Sequence, residues 1–306
     1  MKEHTEIFSF PDDYEGPVRA TLIGLAEERT SRQAILYIHG YVDYFFQTHM
    51  AQTFVDAGWN FFALDLRKYG RSILSHQHPY YCRDLHEYFP EIDRAIERID
   101  AQGYEKIVLL GHSTGGLITS LYLAEGARRA RIDALVLNSP FFEFNAGWFK
   151  RRIAIPVVGF ISRFFPYAHK RNELSPHYFA SVHRSEKGEW NFDTQWKPKD
   201  GVPLYFAWLR AIYRGQRRLH RGLGLSQPVL VLHSARSAWG KEWKEQFTGS
   251  DTVLNVDHIR RYALKLGDRV TDVAIEGGLH DLTLSAPKVR REVFDTILFW
   301  LGQHIH

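Results

Sequence analysis

The chain has 306 residues, 44% of them hydrophobic, with a formal net charge of +4, which places it among globular proteins able to bury a large core. A lone cysteine, Cys82, excludes an intramolecular disulfide and any multi-cysteine metal site. Sixteen histidines are scattered, with no His-x-x-x-His pair beside a general-base Glu, so they read as solvated or core side chains rather than as metal ligands.

In chain order, Met1-Lys2-Glu3-His4-Thr5-Glu6 shows no apolar segment or small-residue cleavage site, so a cytoplasmic address is the default expectation. Residues 6–10 and 18–25 read as antiparallel edge strands set apart by the turn signal Pro11-Asp12-Asp13. Short β-branched or aromatic runs then recur at 34–39, 60–66, 106–110, 134–138, 229–233 and 270–275, the pattern of buried parallel strands. Helical periodicity separates them at 48–57, at 88–101, where Ile92, Ala95, Ile96 and Ile99 share one face, at 115–125, and at 288–301. This alternation predicts an α/β fold with a mostly parallel, doubly wound sheet.

The alternation stops between Ser139-Pro140 and Gln227-Pro228, where helical patterns continue without a convincing strand. Residues 141–227 therefore read as an inserted helical cap, dividing the core into 1–140 and 228–306. The insertion lies after one core strand and before the next, at the carboxyl edge of the sheet, where ligands bind in such folds. It carries fifteen Lys and Arg against six Asp and Glu, a net charge of +9 that leaves −5 for the remainder.

One strand, Ile107-Val108-Leu109-Leu110, runs into Gly111-His112-Ser113-Thr114-Gly115 and then an apolar helix. This is Gly-x-Ser-x-Gly in the strand–turn–helix setting of a nucleophile. The setting predicts strained backbone angles at Ser113, and glycines at 111 and 115 because strand and helix leave no room for a Cβ. A serine hydroxyl is a weak nucleophile at neutral pH and needs a base, itself oriented by a third group. His280, in Gly277-Gly278-Leu279-His280-Asp281 between the last strand and the last helix, fits the order Ser, acid, His.

These motifs resemble the monoacylglycerol lipase and lysophospholipase branch of the α/β-hydrolases, often labelled serine aminopeptidase-like. The resemblance spans nearly all the core. It rests on Leu36-Tyr37-Ile38-His39-Gly40-Tyr41, on Asp65-Leu66-Arg67-Lys68-Tyr69-Gly70-Arg71-Ser72, on residues 111–115 and on Gly278-Leu279-His280. It implies the α/β-hydrolase fold with no cofactor, and an oxyanion hole formed by the backbone N–H groups of Tyr41 and Thr114. Two such donors make chemical sense, since losing one typically costs about 100- to 1000-fold in rate. The departure is at the acid. The family's His-Gly-x-x-Asp-like turn reads His233-Ser234-Ala235-Arg236-Ser237 here, and no carboxylate stands in it. Asp251, in Gly249-Ser250-Asp251-Thr252-Val253, resembles the family's continuation, as though 239–248 were an insertion, and is assigned the orienting role. Asp257 is the alternative and is also a helix N-cap candidate. Asp281 is too near His280 in sequence to orient it easily. Asp43 is expected to hold the oxyanion loop through backbone N–H bonds, and Asp65 and Arg67 to order loops at a strand end.

Cap aromatics, among them Phe141, Phe142, Phe144, Trp148, Phe149, Phe160, Phe164 and Phe165, suit either an apolar tunnel or the cap's own core. Residues 153–165, broken by Pro156 and Gly159, fall short of the ~20 needed to span a bilayer. With Lys150-Arg151-Arg152 they suit peripheral contact with an anionic membrane. No helix-turn-helix or RNA-recognition signature accompanies the basic charge, so nucleic acid is not an expected partner. The expected reaction is serine-catalysed hydrolysis of a small-molecule acyl ester. Amide or thioester cleavage, or ligand binding without turnover, are the alternatives. A serine at 113 disfavours epoxide and haloalkane hydrolysis, which use a carboxylate nucleophile.

Overall fold

The computed structural model describes residues 2–26, 31–172 and 175–305. An antiparallel hairpin, β1 (Lys2–Asp13) and β2 (Gly16–Ala26), opens the chain. β3 (Gln33–Ile38), α1 (Thr48–Asp56), β4 (Asn60–Asp65), α2 (Phe89–Asp100), β5 (Lys106–His112), α3 (Thr114–Glu125) and β6 (Ala134–Asn138) follow in strict alternation. The chain then leaves the sheet through α4 (Ile155–Ile161), β7 (His169–Asn172), α5 (Pro176–Val182), β8 (Val202–Tyr205) and α6 (Phe206–His220). It returns with β9 (Val229–Ser234), α7 (Val256–Ala263), β10 (Val270–Ile275) and α8 (Pro287–His304).

The eight-stranded sheet has the order β1-β2-β4-β3-β5-β6-β9-β10, with antiparallel pairing confined to the β1–β2–β4 edge. Every residue of β4, β6 and β9 is buried, as strands covered on both faces must be. Alternate residues serve opposite layers. Leu36, Ile38 and Leu109 pack with Ile92, Ile96, Leu117 and Leu121 of α2 and α3, whereas Ile35, Tyr37 and Val108 pack with Phe54 of α1 and Ile297 and Trp300 of α8. This mostly parallel sheet with helices on both faces is the doubly wound α/β architecture expected from the alternation, and it is compatible with the α/β-hydrolase fold that the resemblance implies.

Three details differ from the sequence reading. β10, read as a buried strand, lies at the edge of the sheet and only its Ile275 is buried, because no further strand among the described residues pairs with its outer side. Pro11-Asp12-Asp13 does not end β1: the strand continues to Asp13 with a register shift between Phe10 and Asp13, and the reversal falls at Tyr14-Glu15-Gly16, where Gly16 has φ +99°. An edge strand tolerates a proline at such an irregularity, because its missing N–H removes no interior ladder bond. Between β6 and β9 there are two strands as well as helices. β7 and β8 pair antiparallel over four residues each. Their sequences, His-Lys-Arg-Asn and Val-Pro-Leu-Tyr, lack the β-branched alternation that marks a strand.

Candidate active site

Three core strands end side by side. Gly111 of β5 sits opposite Ile38 of β3 and Leu137 of β6, so the turns after these strands converge. Ser113 occupies the turn into α3 with φ 52° and ψ −115°, a conformation that costs a non-glycine residue on the order of 1–3 kcal/mol. The surroundings hold it there. Its N–H donates to the Asn138 carbonyl at 3.0 Å, and its own carbonyl accepts from the N–H groups of Gly116, Leu117 and Phe141. A Cβ on Gly115 would collide with the carbonyl oxygens of Ile38 and His39, and one on Gly111 with Thr119 Oγ1, so only glycine lets α3 pack this close to the sheet.

Ser113 Oγ lies 3.0 Å from His280 Nε2, and His280 Nδ1 lies 2.9 Å from Asp251 Oδ2. His280 and Asp251 are buried, while Ser113 retains 9% exposure. The second oxygen of Asp251, Oδ1, accepts the N–H groups of Val253 and Leu254, both at 2.8 Å. The loop that carries Asp251 closes on itself at its base. Asp251 N–H donates to the Arg236 carbonyl at 3.0 Å, and Ala238 N–H to the Asp251 carbonyl at 2.9 Å. Residues 239–249, which include a short 3-10 turn at Glu245–Gly249, thus form an excursion whose end returns beside the end of β9. Asp257 is exposed in the first turn of α7 and does not meet His280; the helix is capped by Asn255, whose side chain accepts the Asp257 N–H.

Asp281 faces away from the histidine it follows. One of its oxygens accepts Asn138 Nδ2 at 2.8 Å and the Thr283 N–H and hydroxyl, and the other accepts Gln47 Nε2 at 3.0 Å. Burial alone would raise its pKa. The neighbouring His112, the hydrogen bonds from Thr283 and Gln47 and the Lys197 charge outweigh it and hold the carboxyl at about 2. The network ties the His280 loop to the end of β6 and to the start of α1. His112, whose ring lies 5.0 Å from that of His280, has a pKa below the usual histidine value, chiefly because it is buried.

A cavity of about 270 Å³ opens on Ser113. Gly40, Tyr41, Asp43 and Thr114 line its floor, and Phe141, Phe144, Tyr178, Leu204, Trp208 and Leu209 form much of its wall. A Cβ on Gly40 would lie 3.1 Å from Ser113 Cβ, so the absence of a side chain there leaves room beside Ser113. The sequence reading expects Asp43 to bond the backbone of its own loop, but it does not. Its Oδ1 instead accepts Lys197 Nζ at 2.7 Å. Asp65 does order a loop, accepting the N–H groups of Phe45 and Arg71 and the Arg71 guanidinium, while Arg67 pairs with buried Glu91.

The aromatic residues between β6 and β9 divide three ways. Phe141 and Phe144 line the cavity and Phe142 is in the core, but Trp148, Phe149, Phe160, Phe164 and Phe165 are each 59–68% exposed, which fits neither a tunnel nor a core role and leaves surface contact as the reading compatible with them. Composition marks these residues as apolar without saying which way a helix turns them. Lys197, Tyr178 and Trp208 carried no motif and were not singled out from the sequence; they stand near Ser113 only because the excursion folds back over the sheet.

Fold and site together define a hydrolase-type scaffold with a serine, a histidine and an aspartate in hydrogen-bonded series. Residues 29–242 match the model of the family described as serine aminopeptidase, S33. The chain is 33% identical over 305 residues to the monoacylglycerol lipase of Mycolicibacterium smegmatis, covering 95% of each. It therefore belongs to this family, within the monoacylglycerol lipase branch of the α/β-hydrolases. Solved structures that share the fold include a soluble variant of monoglyceride lipase from Saccharomyces cerevisiae, with a TM-score of 0.69, 15% identity and coverage of 98% and 95% of the two chains. Others are the Paleococcus ferrophilus monoacylglycerol lipase, at 0.65 and 19% with 99% and 100% covered, and a carboxyl esterase from Bacillus coagulans, at 0.69 and 14% with 99% of each covered.

Proposed function

We propose that the protein hydrolyses carboxylic esters of acyl-lipid type, monoacylglycerol- or lysophospholipid-like, through a Ser113–His280–Asp251 triad and an acyl-enzyme. The observation that carries this reading is the unbroken series Ser113 Oγ, His280 and Asp251, with contacts of 3.0 and 2.9 Å, opening on a largely apolar cavity. Ser113 Oγ attacks the ester carbonyl carbon as its proton passes to His280 Nε2, and Asp251 stabilises the imidazolium that forms. The carbonyl oxygen becomes an oxyanion held by the N–H groups of Tyr41 and Thr114. Collapse breaks the ester C–O bond, and the imidazolium protonates the departing alcohol. Water activated by the same histidine then attacks the acyl-enzyme, releasing the carboxylic acid and restoring Ser113.

The kinship with monoacylglycerol lipases and the aromatic and leucine walls both favour an acyl chain as occupant. An aminopeptidase-like reaction needs a carboxylate to receive the substrate ammonium. Asp43 is the one carboxylate among the described residues lining the cavity, and Lys197 already neutralises it. In this reading residues 141–227 act as a cap over the site. Its exposed apolar ridge, Trp148 to Phe165, is bordered by exposed Lys150, Arg152 and Arg163, an arrangement suited to resting on an anionic lipid surface that supplies the substrate. None of the helices among the described residues is long and apolar enough to cross a membrane.

The decisive experiment is Ser113→Ala with a fluorophosphonate probe and a p-nitrophenyl ester. Labelling and turnover both vanish while the circular dichroism spectrum is unchanged. Turnover persisting in this variant would remove Ser113 as the nucleophile.

A further inference from the structure

The turn after β3, which carries Tyr41, is held in an unfavourable conformation. Val42 has φ 51°, in the left-handed region that a β-branched residue avoids. Two side chains from the segment between β6 and β9 grip this turn. The Trp208 ring lies against that of Tyr41, with centroids 4.0 Å apart. Lys197 Nζ donates to Asp43 Oδ1 at 2.7 Å across 154 residues of sequence. The other oxygen of Asp43 has no hydrogen-bond partner among the described residues, so Lys197 is this carboxylate's anchor. Lys197 is in turn caged by the rings of Phe46, Tyr178 and Phe192, whose centroids lie 5.1, 5.6 and 5.3 Å from Nζ. The side chains of the pair are 9% and 3% exposed.

A buried ion pair adds little net stability, because desolvation of the two charges offsets their attraction, whereas losing one partner strands the other. Its value lies in direction: the Asp43 carboxylate has one favourable place, and the turn must follow it. We propose that Asp43 and Lys197 form a positioning pair through which the cap holds the Tyr41 N–H in line with the developing oxyanion. Catalysis is thereby coupled to the seating of the cap. The inference rests on the assignment of Ser113 as nucleophile and of Tyr41 as an oxyanion donor, and neither member of the pair touches the reacting atoms.

The test compares Lys197→Met, Asp43→Asn and the double variant, with Ser113→Ala as control, using p-nitrophenyl butyrate and inhibition by phenylboronic acid. The boronate accepts Ser113 Oγ and forms a tetrahedral anion that needs the same N–H donors as the intermediate. The double variant leaves no stranded charge, so it folds with an unfolding midpoint near that of the parent even if a single variant does not. In it kcat falls tenfold or more, boronate affinity weakens in parallel, and KM stays within about twofold. Parental kcat and boronate affinity in the folded double variant overturn the proposal. So does a raised KM at unchanged kcat, which would make the pair a substrate contact. Turnover surviving in Ser113→Ala strikes instead at the nucleophile assignment, and the two failures are therefore distinguishable.

Discussion

Asp251 offers one oxygen to His280 and the other to two backbone N–H groups, so its carboxylate is fixed in rotation as well as in place. That is what an orienting acid requires, because the imidazole must present Nε2 to the serine in the correct tautomer. Replacing it with asparagine keeps the shape but lets an amide donate where the carboxylate accepted. Asp251→Asn is therefore expected to lower kcat by about 10⁴-fold, while Asp257→Asn, exposed on α7, leaves kcat within about twofold. Steady-state kinetics on one soluble ester decide between them, and the reverse outcome transfers the role to Asp257. Asp281 illustrates why sequence adjacency misleads. Its side chain points to Asn138, Gln47 and Thr283, and it steadies the loop rather than the imidazole.

At the scale of the element, α4 and the turns around it carry most of the exposed apolar surface. One side of the helix meets α6, where Gly159 lies against Arg210, and the other leaves Val157, Phe160 and Ile161 in the open together with Trp148, Phe149, Phe164 and Phe165. Exposed apolar side chains gathered in one segment in this way mark a docking surface more often than a defect in packing. A lipid surface would take the rings into its headgroup region while Lys150, Arg152 and Arg163 meet anionic lipid. The expected result for the double variant Phe160→Ser with Phe164→Ser is roughly tenfold weaker co-sedimentation with vesicles of anionic phospholipid. Its kcat/KM on a soluble short-chain ester stays unchanged, because neither residue lines the cavity. Undiminished vesicle binding would remove the membrane reading and leave the triad untouched.

At the scale of the whole molecule, the cavity exists only because several distant stretches of chain meet. Its floor comes from the turns after β3 and β5, and its wall from Phe141, Phe144, Leu204, Trp208 and Leu209. If these walls receive an acyl chain, each added methylene contributes up to ~0.8 kcal/mol, and catalytic efficiency rises by up to about fourfold per carbon until the cavity is full. The ratio of kcat/KM for octanoyl over acetyl p-nitrophenyl esters, taken below their micelle concentrations, is accordingly well above one. A ratio at or below one leaves a small-ester carboxylesterase.

Local chemistry made much of this legible in advance. Runs of β-branched or aromatic residues placed all six interior and closing strands to within two residues, and for the interior ones the reason is that a strand buried on both faces must be continuously apolar. Gly-x-Ser-x-Gly after such a strand pointed to Ser113, since the turn it makes is tight enough to demand those glycines. Other features were decided by tertiary structure alone. Residues 239–249 had to leave and rejoin the end of β9 before Asp251 stood beside His280, and spacing along the chain says little about where a loop's ends meet. Lys197 met Asp43, and the exposed ridge of α4 was separated from the cavity wall, only when the segment between β6 and β9 packed onto the sheet. Composition specifies how much apolar surface a segment carries; the direction in which each side chain faces is set by what the segment packs against.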